Sequence, residues 1–243
     1  MTNEQELSRR TRRGFLALAA AGVAGVSGWS YLRGRPERDG VASPFRGALE
    51  WNEEVASKAL FESGHRAPEF PASRAEEIRA NGEEGLGDGF DPNSWMLQLT
   101  SADGQKGELN LDAIRRLPKV EQTTEFKCIE GWSSIVHWAG ARFGDFTAAF
   151  APGSEKAAYV AMATPDRGYF VGIDRASTLH PQTLLAYEMN GQPLTDEHGA
   201  PLRLVIPVKY GIKNIKRIGS IIYSNTQPPD YWADRGYDYY AGL

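Results

Sequence analysis

Val120-Glu121-Gln122-Thr123-Thr124-Glu125-Phe126-Lys127 runs without a break into Cys128-Ile129-Glu130-Gly131-Trp132-Ser133. Val, Thr and Phe dominate the first stretch, which predicts a strand over Val120–Lys127. Gly131-Trp132-Ser133 then reverses the chain, so the strand delivers the one cysteine of the sequence to a turn at its end. A lone cysteine after a strand most often serves as a small buried hydrophobe. Lys127 points the other way, because a neighbouring cation favours the thiolate, the form that binds soft metals.

On either side the sequence reads as short strands with turn signals between them. Trp95, Leu97 and Leu99 alternate, Asp103-Gly104 marks a hairpin turn, and Leu109 and Leu111 alternate again. Asp112 is placed to cap a short helix that ends before Pro118. Ser134–Phe150 has helical character with Gly interruptions. Further strands are expected at Tyr159–Ala163, Tyr169–Ile173, Leu202–Ile206 and Ile215–Tyr223. Asn190-Gly191 is a hairpin signal between Leu185–Met189 and Gln192–Leu194. Strands outnumber helices and follow one another by hairpins, which predicts an α+β domain built on mixed sheet. Upstream, residues 34–94 form an extension rich in charge, Gly and Pro, with one helical stretch near Asn52–Glu62 and a loop over Asn81–Gly89.

Charge is unevenly distributed. The net charge is −4, and residues 1–38 hold seven Arg against three Glu, so the rest of the chain carries −8. That acidic body excludes nonspecific nucleic-acid binding, which needs cations aligned along phosphates. Yet Gly199 to Pro229 contains no Asp or Glu while holding Arg203, Lys209, Lys213, Lys216 and Arg217. Its centre, Pro207 to Lys216, includes Gly211, which would let the backbone approach a ligand closely. Such a loop offers N–H groups and ammonium heads to a phosphate, though an exposed basic strand would look the same. One cysteine excludes an intrachain disulfide, and the four His are too scattered for a zinc cluster.

The first segment reads as an address. Thr11-Arg12-Arg13-Gly14-Phe15-Leu16 opens an uncharged, Ala- and Gly-rich run from Gly14 to Leu32, the pattern of a twin-arginine export signal. Residues 1–33 are assigned to it. The run is close to the roughly 20 residues that cross a bilayer. No clean cleavage site follows, so residues 14–32 are also compatible with a membrane tether. The expected location is the periplasm or another extracytoplasmic space, reached already folded.

Two separated stretches together resemble the molybdopterin-binding domain of the sulfite oxidase family, and within it the bacterial periplasmic methionine-sulfoxide-reductase type. They are Phe126 to Ser133 with Trp138 and Gly140, and Gly199-Ala200-Pro201-Leu202-Arg203-Leu204-Val205-Ile206-Pro207 running into Lys209-Tyr210-Gly211. Gln227-Pro228-Pro229, Trp232 and the Tyr-rich end are similar too. The resemblance covers residues 95–243, which it implies form the catalytic domain. It implies a molybdenum ion held by Cys128 and by the two sulfurs of molybdopterin. Arg203, His198, Asn214, Ile215 and Lys216 match the family's cofactor contacts, and Thr164 matches a further one. An upstream cofactor loop should fall within residues 64–85. His65, His137 and His180 are read as structural, and Trp132 and Trp138 as packing rather than redox relays.

The resemblance implies two-electron oxygen-atom transfer in which the cofactor carries the chemistry. Both sulfite oxidation and reduction of a small or protein-bound S-oxide are compatible. With no haem pattern and no second sheet domain expected, electrons would pass to a separate partner, a membrane haem protein or a cytochrome c. The competing reading is a non-catalytic exported binding domain that keeps the fold without the metal. Cys128, Arg203 and the lysine loop occurring together speak against it.

Overall fold

The computed structural model describes residues 3–38, 41–55, 65–87 and 89–243. The chain divides into two compact units, Met1–Trp51 and Asn52–Leu243. In the first, helix α1 (Asn3–Arg33) is followed by the strand pair β1 (Glu37–Arg38) and β2 (Val41–Ala42), then by helix α2 (Ser43–Val55). Gly14–Arg33 is long and apolar enough to cross a membrane, and none of it is buried. Trp29 rests on Phe45 with ring centroids 5.5 Å apart, which ties the end of α1 to α2. The helix expected near Asn52–Glu62 thus begins earlier, at Ser43. Pro44 explains the shift, since a proline's fixed φ and missing N–H suit a first helical turn. Residues 56–62 of that expectation lie outside the described residues.

The second unit is built on two sheets. One holds β5 (Lys119–Lys127), β6 (Ser133–Arg142), β9 (Leu184–Met189) and β10 (Gln192–Pro193) in the order β10-β9-β6-β5, with β11 (Arg203–Val205) also paired to β9. The other runs β4-β3-β12-β7-β8, from β3 (Leu97–Thr100), β4 (Lys106–Leu109), β7 (Tyr159–Ala163), β8 (Phe170–Asp174) and β12 (Ser220–Ser224). Only the β3–β12 pair is parallel, so the second sheet is mixed, as the sequence indicated. The hairpin signals hold: β3 and β4 pair about Asp103-Gly104. Asn190 and Gly191 take φ of 51° and 75° between β9 and β10, the left-handed pair that a two-residue hairpin needs.

Three local readings are corrected. Ser134 to Arg142 is strand, not helix, and only α4 (Phe143–Phe150) is helical. β6 pairs with β5 along its whole length and with β9 on its other edge, and this pairing outweighs the Ala and Gly content that suggested a helix. Gly140 lies at the irregularity between β6 and β9, where a Cβ would collide with the Leu185 carbonyl. Asn110, not Asp112, caps α3 (Leu111–Arg115), its side chain accepting from the Ala113 N–H at 2.9 Å. Residues Ile215 to Gly219 precede β12 as irregular chain, because Arg217 adopts φ of 47°, which no ladder accommodates.

The sheets close over a core of Leu97, Leu99, Phe143, Phe146, Met162, Ile173, Leu204 and Ile221, among others. A smaller cluster around Val136, Trp138, Leu184 and Val205 backs β6. Charges are buried here too. Lys213 and Asp230, each 1% exposed, form an ion pair of 2.5 Å, and buried Lys209 lies 3.1 Å from Asp174. Lys209 also donates to the Tyr240 carbonyl at 2.6 Å, fastening the C-terminal segment.

Removing the carboxylate of such a pair leaves a buried charge without its counter-charge. Asp230→Ala should therefore destabilise the fold by about 3–5 kcal/mol. Denaturant unfolding should show part of that loss recovered in the double variant Lys213→Met, Asp230→Asn, which keeps an acceptor for the N–H groups of Gly172, Trp232 and Ala233.

Candidate functional site

Cys128 sits where β5 ends. Its N–H donates to the Trp132 carbonyl at 2.9 Å, and its own carbonyl accepts from the Gly131 N–H at 3.1 Å. Gly131 holds φ of 89°, a conformation that favours glycine, so the chain turns tightly enough to re-enter as β6. The cysteine is 9% exposed, and its side chain reaches a cavity of about 320 Å³.

That cavity gathers residues distant in sequence. Cys128, His198, Arg203, Asn214 and Lys216 all line it, together with Ile78, Arg79, Asn81, Gly82 and Glu84 of the upstream loop. The loop anticipated within residues 64–85 thus gains individual members, and Asn81 Nδ2 donates toward Cys128 Sγ at 3.8 Å. Nothing in the sequence singled out Asn81 beyond its place in an Asn-Gly turn signal. Ile215 does not line the cavity; it is core, and its carbonyl accepts from Leu204 N at 2.9 Å. Thr164 also lies off the cavity. Its hydroxyl donates to Asp166 at 2.6 Å and accepts from Tyr169 N at 3.1 Å, bracing the turn from which Tyr169 reaches the cavity wall.

Aromatic residues complete the walls. Phe126, Trp132, Tyr169, Trp232 and Tyr237 all contribute. Trp138 is packing, as expected; Trp132 packs against the smaller core too and also faces the cavity, its indole N–H donating to Glu130 at 3.1 Å. Gly211 lines the cavity, where its backbone is open to a ligand, and it has a second use. A Cβ there would come within 2.6 Å of the Phe126 ring, so the glycine makes room for a side chain of its own fold. None of His65, His137 and His180 lines the cavity; His180, for one, is bonded through Nε2 to the His65 carbonyl at 2.7 Å.

The basic island separates into two groups. Lys209, Lys213 and Arg217 lie beside Asp174, Asp230 and Asp196 respectively. Arg203 and Lys216 face the cavity, with no carboxylate at ion-pair distance among the described residues. Burial pushes Arg203 down to about 10. Burial, and next the charge of Arg203, pushes Lys216 down to about 8. Burial, Arg203 and Lys216 lower His198 as well, all three disfavouring its protonated ring. Lys216 Nζ meanwhile donates to the Asn81 and Gly82 carbonyls at 2.8 and 3.0 Å.

Such a wall suits an anionic group that brings most of its own metal ligands. Arg203 Nε is buried without an acceptor, and no cluster of three His, Cys, Asp or Glu able to hold a metal exists among the described residues. Cys128 is then a single soft donor beside a cationic wall. A thiolate ligand completed by the sulfurs of an anionic cofactor fits those residues.

Comparison with known proteins agrees. Residues 86–232 match the oxidoreductase molybdopterin-binding domain, and the chain belongs to that family, of the sulfite oxidase kind. That family is one of molybdopterin-dependent oxidoreductases, with molybdenum as the metal. Among its relatives, the protein-methionine-sulfoxide reductase catalytic subunit MsrP of Xanthomonas axonopodis pv. citri is 30% identical over 95% of this chain and 75% of its own. The YedZ1 protein of Azospira oryzae, provisionally named a protein-methionine-sulfoxide reductase subunit, is 37% identical over 63% of this chain and 57% of its own. The chain therefore spans little more than half of some of the relatives it matches. The sulfane dehydrogenase SoxCD of Paracoccus pantotrophus shares the fold, with a TM-score of 0.52 at 14% identity over 70% of this chain and 50% of that one.

If Lys216 holds an anionic part of the cofactor, its charge-assisted bond contributes about 1.5–3 kcal/mol, or roughly ten- to a hundredfold in affinity. Lys216→Ala should lower the fraction of chains carrying molybdenum under limiting cofactor supply. Lys119→Ala, which removes a surface pair with Glu188, should not. Since burial holds the Lys216 ammonium down to about 8, its contribution should be present below that value and lost above it, so the gap in molybdenum content between wild type and Lys216→Ala should narrow as pH rises past about 8.

Proposed function

We propose that the chain is exported folded by the twin-arginine route and reduces S-oxides at a molybdenum held by Cys128, using electrons from a separate membrane haem protein or cytochrome c. One observation carries the reading: the only thiol and a buried arginine without a counter-charge among the described residues share the walls of one cavity. In this reading Arg203, Lys216, His198 and the backbone about Asn214 and Ile215 hold the cofactor, and Thr164 braces the wall. When bound, the cofactor supplies the two-electron couple and the position at which oxygen is exchanged. The net reaction consumes an S-oxide, two electrons and two protons, and yields a thioether and water.

The names of the relatives support an S-oxide over sulfite, and so does the wall beyond the cofactor contacts. Trp132, Trp232, Tyr237 and Ile129 offer an apolar surface that fits a thioether and sheds water. Of the cations there, Arg203 and Lys216 are assigned to the cofactor, which leaves Arg79. Glu130 stands beside it, its carboxyl held below the usual range by the Trp132 indole, the Asn81 amide and, less strongly, Arg79. A carboxylate at this wall repels a sulfite dianion and tolerates a neutral S-oxide.

Protein matured in a molybdenum-competent host should contain about one molybdenum per chain if each cavity holds one cofactor. With a reduced dye as donor it should consume methionine S-oxide and show little sulfite-dependent reduction of an acceptor. Cys128→Ser should abolish turnover while far-ultraviolet circular dichroism stays that of the wild type. Soluble, correctly matured protein without molybdenum would overturn the reading. For the export route, Arg12→Lys with Arg13→Lys should leave the protein in the cytoplasmic fraction, and unchanged delivery would point to another route.

A further inference from the structure

Arg203 is a buried charge with no carboxylate at ion-pair distance among the described residues. Its side chain is 2% exposed. Nη1 donates to the His198 carbonyl at 3.1 Å and Nη2 to the Asn214 carbonyl at 3.3 Å, while Nε has no acceptor. Two neutral carbonyls do not replace the hydration that a guanidinium loses on burial, and an uncompensated buried charge ordinarily weighs heavily against folding.

Aromatic faces stand where a carboxylate would be expected. The guanidinium carbon lies 4.8 Å from the Trp138 ring centre and 5.9 Å from that of Phe126. Both fall within the roughly 6 Å over which a ring attracts a cation, and the attraction strengthens when the pair is desolvated. Phe126 lies on β5 two residues before Cys128, and Trp138 is fully buried on β6. The same ring of Phe126 occupies the space that Gly211 leaves open. The pair of rings is thus built into the hairpin that carries the metal ligand.

We propose that Phe126 and Trp138 are positioning residues for Arg203, steadying its charge inside the fold without neutralising it, so that the guanidinium stays free for an anionic group of the cofactor. A carboxylate would hold the arginine as well, but it would cancel the charge and repel the incoming anion. A ring attracts the cation through its quadrupole and leaves the net charge intact. The arrangement makes the cofactor-free chain less stable than it need be and returns that stability on binding. The proposal rests on the assignment of Arg203 to the cofactor, and its test separates the two.

The test uses the full chain in mild detergent, prepared from a host that makes no molybdopterin, and compares wild type, Arg203→Met, Phe126→Leu and the double variant by urea unfolding. Arg203→Met should unfold at higher urea than wild type. Phe126→Leu should destabilise the wild-type background more than the Arg203→Met background. A second cycle through the closer ring, with Trp138→Leu and Trp138→Phe, should show coupling for Leu and little for Phe, which keeps an aromatic face. In a cofactor-competent host with limiting supply, Arg203→Met should lose most of its molybdenum. Phe126→Leu should weaken cofactor retention roughly tenfold. Equal cost of the ring substitutions in both backgrounds would overturn the aromatic role even if Arg203→Met loses molybdenum. Normal molybdenum content in Arg203→Met would instead remove the cofactor assignment on which the role depends.

Discussion

The antiparallel ladder between β5 and β6 runs from Lys119 opposite Ala141 to Lys127 opposite Ser133, and its closed end is the turn that carries Cys128. Everything proposed for the site depends on that hairpin being rigid. One face of it packs Val136 and Trp138 into the smaller core, and its outer edge continues into β9. A ligand at the tip of a loop would wander by more than a metal tolerates. At the end of a fully paired hairpin, its position is set by backbone hydrogen bonds and by side chains buried behind them. β11, paired to the far side of β9, brings Arg203 to the same cavity on the same sheet.

Charge is handled in two different ways within one short stretch of chain. Lys213 and Lys209 are buried against Asp230 and Asp174, where their function is to join the C-terminal half of the unit together. Arg203 and Lys216 are withheld from such partners and turned to the cavity. A binding site for an anion needs positive potential that the protein has not already cancelled. The same residue types therefore stabilise the fold or form the site, depending only on whether a carboxylate stands opposite.

Much of this was legible in the sequence, and the exceptions have physical causes. The β3–β4 and β9–β10 hairpins were readable because turn chemistry is local: Asp103-Gly104 and Asn190-Gly191 specify their own geometry. β6 was misread because its identity comes from two neighbouring strands, and no local window contains them. Cys128 and Arg203 could be named from the sequence. Asn81 and Trp132 could not be given their places, since a loop far upstream meets the cysteine only through the fold. Nor could the sequence divide the basic island, because Asp174 and Asp230 lie outside it and meet its lysines only in three dimensions.

Having a single cysteine, and having it on the cavity wall, gives the chain a chemical memory. In the oxidising compartment proposed for it, a chain that arrives loaded would have its sulfur bound to metal and shielded. A chain that arrives empty would present its sulfur at the cavity wall with only the Asn81 amide beside it, open to stepwise oxygenation or to a mixed disulfide with a small thiol. Such a lesion would remove the proposed metal ligand for good or until it is reduced. On the proposed route, loading before export would decide more than whether a molecule is active on arrival. It would decide whether that molecule can become active afterwards, and the oxidation state of Cys128 in a purified sample would carry the trace of that history.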